Sequence, residues 1–140
     1  MGTRRRSREL TMQMLFQADL GKQDAEQVRN LFWPSRDDVD EETRGFAEDL
    51  FRVAMARDKE IDGLIQAHAQ NWRLERMAAV DRNLLRAATA EMLAYSGTPM
   101  PIIINEALEI ARRYAAPESI QFLNGVLDAI SRTVLKQRLG

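Results

Sequence analysis

Apolar residues recur at every third or fourth position along most of this chain, and this spacing constrains the fold more than any other feature. It is the spacing that keeps one face of an α-helix apolar. The clearest run is in the last segment, where four apolar residues are spaced by four: Phe122, Val126, Ile130 and Val134. The one cluster of β-branched residues, Ile102–Ile104, leads directly into another helical pattern. The sequence therefore predicts an all-α protein.

We expect six or seven helices arranged as two small helical bundles that pack together. The predicted helical ranges are 3–20 (with the start left open between residues 3 and 8), 24–33, 41–67, 81–95, 102–114 and 118–138. Residues 71–77 are predicted to be a connector or a short helical turn. Asp81 is a candidate N-cap for the helix that follows this connector.

The length of 140 residues predicts a single domain, residues 1–140, with a sizeable core. The chain has no cysteine and one histidine, His68, which excludes disulfides, thiolate metal sites, cysteine nucleophiles and histidine dyads. His68 ends an apolar stripe and is predicted to be packed or half-buried. Because no apolar run approaches the roughly 20 residues needed to cross a bilayer, we expect no membrane association. The absence of cysteine fits a reducing compartment, and we expect a cytoplasmic location.

A cluster of arginines at the N-terminus is the sharpest sign of function. Residues 1–18 contain four arginines and one acidic residue, Glu9, which gives this segment a net charge of +3 in a chain whose total is −1. If Ser7 is the N-cap, Arg4–Arg6 form a free arm; if Thr3 is the N-cap, the arginines lie on the helix. In the second case the helix dipole disfavours them, and a partner must compensate. In both arrangements the arginines can bind phosphate groups. The alternative is that they form a solvated basic tail with no binding role.

The apolar pattern alone suggests structural roles for several other residues. Trp33 and Trp72 flank the ends of predicted elements and are expected to close the core. Arg112 and Arg113 are expected to be ordinary charges on a helix surface. The spacing favours a core position for Phe122, whereas an exposed ring near a helix start could stack on an unpaired base.

Four segments of the chain resemble characteristic segments of the NusB family of transcription antitermination factors. They occur in the family's order and spacing: an N-terminal arginine pattern running from Arg5 to Phe16, then Val80–Arg86, Pro101–Ala111 and Ser119–Asp128. The resemblance implies an all-helical fold of two three-helix-type sub-bundles, with no catalysis and no cofactor. It implies binding of single-stranded boxA RNA together with NusE, a small-subunit ribosomal protein. That assembly joins an RNA polymerase antitermination complex that acts notably in ribosomal RNA operons.

The resemblance also implies roles for particular residues. Positions associated with RNA binding are Arg5, Arg6 and Arg8, with Arg4 expected to help, and Arg86, Glu118 and Phe122. Positions associated with the NusE contact are Phe16, where the family more often has tyrosine, and Asp81. Glu118 could accept hydrogen bonds from base amino groups or could limit the affinity for RNA.

Two other classes of protein stay open, as does the oligomeric state, since some family members dimerise. The same fold forms the RNA-binding domain of ribosomal RNA cytosine methyltransferases, which would require a cofactor-binding domain downstream. A helical protein–protein adaptor with an incidental arginine arm would show no salt-dependent RNA binding.

Overall fold

The computed structural model describes residues 3–140, and within them the chain forms seven α-helices and two short 3₁₀-helices. The α-helices are α1 (Thr3–Gly21), α2 (Ala25–Phe32), α3 (Glu41–Ala56), α4 (Asp58–His68), α5 (Ala79–Ala94), α6 (Met100–Tyr114) and α7 (Ser119–Leu139). The 3₁₀-helices are Trp33–Ser35 and Leu74–Arg76. The prediction of an all-α fold is confirmed.

Helix α5 is the central element, because it packs against α1, α3, α4, α6 and α7. Helices α1, α2 and α3 form one group around it, and α6 and α7 pack on α5 and on each other to form the second. Three alanines on α5 allow this close approach from several sides: Ala87, Ala88 and Ala90 are all buried. The two groups share one continuous hydrophobic core.

Helix α1 begins at Thr3, so the arginines lie on the helix and not in a free arm. Ser7 is therefore not an N-cap. It is buried one turn inside α1, where its hydroxyl donates to the carbonyl oxygens of Thr3 (2.9 Å) and Thr43 (2.8 Å). The second bond ties α1 to α3. Residues 1 and 2 lie outside the described residues.

The single long helix predicted over 41–67 is wrong, because the chain breaks at Arg57. Arg57 has φ −110° and ψ 29°, its N–H still donates to the carbonyl of Val53, and α4 starts at the next residue. Arg57 is also the residue that interrupts the apolar stripe of the sequence. The break lets α4 leave the direction of α3 and pack against α5 and α7.

Two further expectations are corrected where α5 begins. The helix starts at Ala79, with Ala78 at the cap position, so Asp81 is not the N-cap but lies in the first turn. Trp72 does not close the core, since 54% of it is exposed, whereas Trp33 is buried as predicted. His68 is half-buried, as predicted, and its Nε2 lies 2.8 Å from the hydroxyl of Thr133.

No helix within residues 3–140 is long and apolar enough to cross a membrane. The same part of the chain contains no group of three or more His, Asp or Glu side chains placed to hold a metal ion.

Candidate nucleic-acid interface

Five arginines lie together where the first two turns of α1 meet the C-terminal part of α6, and we call this surface the arginine face. Its members are Arg4, Arg5, Arg6 and Arg8 of α1 and Arg113 of α6. Carboxylates hold four of them at different degrees of burial and an aromatic ring holds Arg4, so the five guanidinium groups are not equivalent. The sequence predicted the first four as RNA-binding residues and assigned Arg113 to the ordinary surface.

Arg8 forms the most buried contact of the face. Its Nε and Nη2 donate to the two carboxylate oxygens of Glu91 on α5, at 2.8 and 2.7 Å, and Glu91 is only 1% exposed. Apolar side chains that include Leu50 and Ile103 line the small cavity beside the pair. A bidentate arginine–carboxylate pair among apolar side chains is stable only when both of its hydrogen bonds are well aligned. Arg8 therefore joins α1 to α5 and is mostly withdrawn from solvent.

Arg5 makes the same kind of pair at a more exposed place. Its Nε and Nη2 each lie 2.8 Å from an oxygen of Glu106 on α6, while about half of the arginine side chain stays exposed. The hydrogen bond from Arg5 lowers the pKa of the Glu106 carboxyl below its ordinary value, although partial burial acts in the opposite direction. Glu106 therefore stays ionised and fixes the direction of the guanidinium group.

One buried carboxylate positions two exposed arginines. Glu9 is 3% exposed, and its two oxygens accept from Nη1 of Arg6 (3.0 Å) and Nη1 of Arg113 (2.6 Å). Both arginines keep other N–H groups directed outward, because each uses one nitrogen on Glu9. The sequence offered no signal for Arg113, since its partner is 104 positions away in the chain.

Arg4 is held by an aromatic ring. Its guanidinium carbon lies 3.9 Å from the centroid of the Phe46 ring on α3, a cation–π distance. Phe46 in turn packs edge-to-face against Tyr95, with the ring centroids 5.1 Å apart. Nothing in the sequence pattern indicates this role for Phe46.

The protein's own carboxylates supply the compensation that arginines at a helix start require. The positive end of the α1 dipole repels the guanidinium groups, and Glu9, Glu91 and Glu106 offset that repulsion. Five guanidinium groups against three carboxylates leave the arginine face with a net charge of +2. The face is thus ordered and still positive, which is the combination that recognition of phosphate groups requires.

Arg86 lies apart from the arginine face. Helices α1 and α5 run antiparallel, so Arg8 and Glu91 pair at one end while Arg86 lies near Asp19 toward the other. Eleven residues of helix separate Arg8 from Asp19, about 16 Å along the axis. Arg86 also donates to both oxygens of Asp62, at 2.8 and 3.0 Å. Its two carboxylate partners leave it little positive charge to offer to RNA.

Glu118 and Phe122, the other residues predicted to bind RNA, lie close to Asp81 where α5 and α7 begin. A cleft of about 320 Å³, which we call the α5–α7 cleft, is lined by Trp72, Arg76, Met77, Asp81, Glu118 and Phe122, among others. Phe122 is half-buried and packs against the core, and Glu118 is exposed. The Phe122 ring therefore has one side packed on the core, as its spacing predicted, and another side in the lining of the cleft.

Asp81 and Phe16, the predicted contacts with NusE, lie in different surroundings. Asp81 is 7% exposed, and its Oδ2 accepts from the Ser119 hydroxyl at 2.8 Å, which links α5 to α7. Burial raises the pKa of the Asp81 carboxyl above its ordinary value, against the opposing effect of that hydrogen bond. Phe16 is half-buried in the middle of α1.

Comparison with known proteins gives a consistent result. The NusB family model matches residues 5–132. The transcription antitermination protein NusB of Koribacter versatilis is 59% identical over 137 residues, which cover 98% of this chain and 94% of that relative. NusB of Solibacter usitatus is 46% identical over 133 residues, covering 94% of this chain and 90% of the relative.

Solved structures show the same fold. A structure of NusB from T. maritima has a TM-score of 0.82 and 34% identity, covering 92% of this chain and 90% of that one. A crystal structure of the antitermination factors NusB and NusE in complex with double-stranded RNA has a TM-score of 0.83 and 25% identity, covering 95% of this chain and 98% of the other.

The fold and the arginine face define a small all-helical protein whose ordered cationic surface is built on buried carboxylates. With the match over residues 5–132 and the full-length relatives, the chain belongs to the NusB family of transcription antitermination proteins.

The contrast between Arg8 and Arg5 yields a prediction about stability. Arg8→Ala leaves the buried Glu91 carboxylate unpaired, so we expect a loss of about 3–5 kcal/mol in the free energy of unfolding. Arg5→Ala breaks an exposed pair and should cost about 0–1 kcal/mol. Urea unfolding followed by circular dichroism measures both. If the two variants lose equal stability, Arg8 is not the structural anchor of the face.

Proposed function

We propose that this protein is a transcription antitermination factor that binds single-stranded boxA-type RNA together with NusE. In that complex it supports processive transcription of ribosomal RNA operons by RNA polymerase. The observation that carries the proposal is the arginine face, because residues matching the family's RNA-binding arginine motif lie on one surface, held in fixed directions. Membership of a family whose relatives are named antitermination proteins supports the same function.

The four arginines of the motif divide into two roles under this proposal. Arg4, Arg5 and Arg6 are exposed and keep N–H donors for phosphate oxygens, and Arg113 extends the same surface. Arg8 is a positioning residue, because its two strongest donors are used on Glu91. Since the exposed guanidinium groups are already ordered, RNA binding costs less side-chain entropy than a free arm would require.

The proposed NusE contact rests on α1. The related NusB structure is solved with NusE and RNA, and Phe16 occupies the position associated with NusE. Leu20, one helical turn further on the same side of α1, is an exposed large apolar residue. Together they form an apolar strip that a protein partner could cover.

The remaining properties follow from the same proposal. Residues 1–140 act as a single NusB-like RNA-binding domain that works in the cytoplasm and catalyses no reaction. The curated relatives are named as antitermination proteins, not as enzymes. A methyltransferase-related RNA-binding domain and a protein–protein adaptor are the alternatives, and homodimer formation is a further possibility for the assembly.

Salt dependence tests the RNA-binding proposal. If Arg4, Arg5, Arg6 and Arg113 each neutralise one phosphate, log K against log salt concentration has a slope of about −3 for single-stranded RNA. Combined replacement of Arg4, Arg5 and Arg6 by alanine should reduce this slope to about −1. The measurement is a titration of labelled boxA-type RNA at several salt concentrations, with and without NusE and with a duplex of the same sequence.

The matched control removes the same charge elsewhere. Replacement of Arg29, Arg52 and Arg132 by alanine takes three exposed arginines from other helices and should leave the slope near its wild-type value. An unchanged slope in the variant that lacks Arg4, Arg5 and Arg6, or equal losses in both variants, rejects the arginine face as the phosphate contact.

Substitution of Phe16 tests the partner surface. Phe16→Asp places a charge in the apolar strip and should weaken NusE binding by at least about tenfold, whereas Phe16→Tyr should not weaken it. Leu31→Asp, on the exposed side of α2, is the control and should bind NusE normally. Isothermal titration calorimetry measures the affinity of each variant for NusE, after circular dichroism has shown that the variant is folded. Normal binding by Phe16→Asp contradicts the proposed contact.

A further inference from the structure

We propose that Phe46 and Tyr95 form a stacking site for one unpaired RNA base, and that Arg4 covers this site until RNA binds. The inference rests on the proposed RNA-binding function and deepens it, because it adds a base contact beside the arginine face. The three side chains meet where α1 begins, in the first half of α3 and at the end of α5. Three observations support the proposal: a phenylalanine outside the core, a tyrosine that fixes it, and an arginine without a carboxylate partner.

The Phe46 ring takes no part in building the core. Phe46 is half-buried, yet it lies outside the hydrophobic core that residues 3–140 form. The guanidinium carbon of exposed Arg4 lies over the ring, 3.9 Å from its centroid, and that of Arg8 lies 5.9 Å away. An aromatic face that is covered by a charged side chain and not by the core can exchange this cover for a nucleobase.

Tyr95 holds the Phe46 ring in a fixed direction. The two rings lie edge-to-face, with an angle of 69° between their planes. The Tyr95 hydroxyl donates to a carboxylate oxygen of Asp49, which lies one turn after Phe46 on α3, and the Tyr95 N–H donates to the Glu91 carbonyl at 2.9 Å. Because Tyr95 is held at both its backbone and its hydroxyl, the pair of rings is ordered before a base arrives, and stacking costs little entropy.

Arg4 is the member of the arginine face that moves most easily. Carboxylates hold the other four members, whereas Arg4 forms no ion pair and no side-chain hydrogen bond with any residue of the described chain. An exposed guanidinium–ring contact is weak, while a guanidinium–phosphate pair and a base–ring stack are both stronger. RNA therefore draws Arg4 to a phosphate group, and one base takes its place on the Phe46 ring.

The charges around the two rings favour a base over other groups. The Asp49 carboxylate beside Tyr95 disfavours a phosphate group on the rings, whereas Arg4 and Arg5 suit the phosphates on either side of a stacked base. Arg4 and Arg8 disfavour a lysine or arginine side chain from a protein partner at the same place. Every base has a π-face and the ring faces carry no hydrogen-bonding group, so we expect the site to accept any base.

Affinity measured at several salt concentrations separates base stacking from mere positioning of Arg4. Phe46→Leu should weaken binding of single-stranded boxA-type RNA between about fivefold and a hundredfold, with an unchanged slope of log K against log salt, because stacking neutralises no phosphate. Arg4→Ala should make the slope less steep by about 0.7, and Phe46→Leu should weaken binding further in the Arg4→Ala protein. Phe46→Tyr, which keeps a ring, should keep most of the affinity. If Phe46→Leu has no effect in the Arg4→Ala protein, Phe46 only positions Arg4 and the inference is wrong.

Removal of single bases from the RNA locates the stacked nucleotide. Each base is removed in turn while its sugar and phosphate stay, and at one position the loss of affinity seen with the wild type should disappear in Phe46→Leu. At that position any of the four bases should bind within about twofold of the others. Equal losses for wild type and Phe46→Leu at every position, or weaker binding of NusE and not of RNA by Phe46→Leu, overturn this inference and leave the arginine face intact. Absence of any RNA binding overturns both this inference and the proposed function.

Discussion

The buried carboxylates of Glu9 and Glu91 are the constraint on which the arginine face depends. Each is almost fully withdrawn from solvent, and each is compensated by guanidinium groups from α1 or α6. A buried carboxylate without a cation would cost several kcal/mol, so these contacts fix the helices and the arginines together. The fixed direction of the arginines is thus a consequence of how the core is closed at this end of the molecule.

Helix α5 connects the end of the molecule that carries the arginine face to the opposite end, where α5 and α7 begin. Near its C-terminal end Glu91 anchors Arg8, and near its start Arg82 holds the connector that carries Trp72. Asp81, in the first turn, joins α5 to the start of α7. The central helix therefore ties the arginine face to the opposite end of the molecule through polar side chains that lie within the packed interior.

The sequence predicted the parts of the molecule that local patterns determine. Apolar spacing indicated the helices, but it predicted one continuous helix over 41–67, whereas the chain breaks at the charged residue Arg57. Ion pairs between distant segments could not be predicted, because the partners of Arg8 and Arg113 lie 83 and 104 positions away. Trp72 was assigned to the core because a large ring near an element end usually is buried. In the structure its ring is exposed, while Gln66 and Arg82 hold the carbonyl groups of Trp72 and Leu74.

The most direct test of the account is the RNA affinity of Glu106→Gln. This change adds one unit of positive charge to the arginine face but removes the ionised partner that directs Arg5. Glu109→Gln, which makes the same charge change beside exposed Arg112, is the matched control. If positioning by carboxylates governs binding, Glu106→Gln binds RNA between about twofold and tenfold more weakly than wild type, while Glu109→Gln does not. Tighter binding by Glu106→Gln would show that charge alone governs the affinity and would contradict the account.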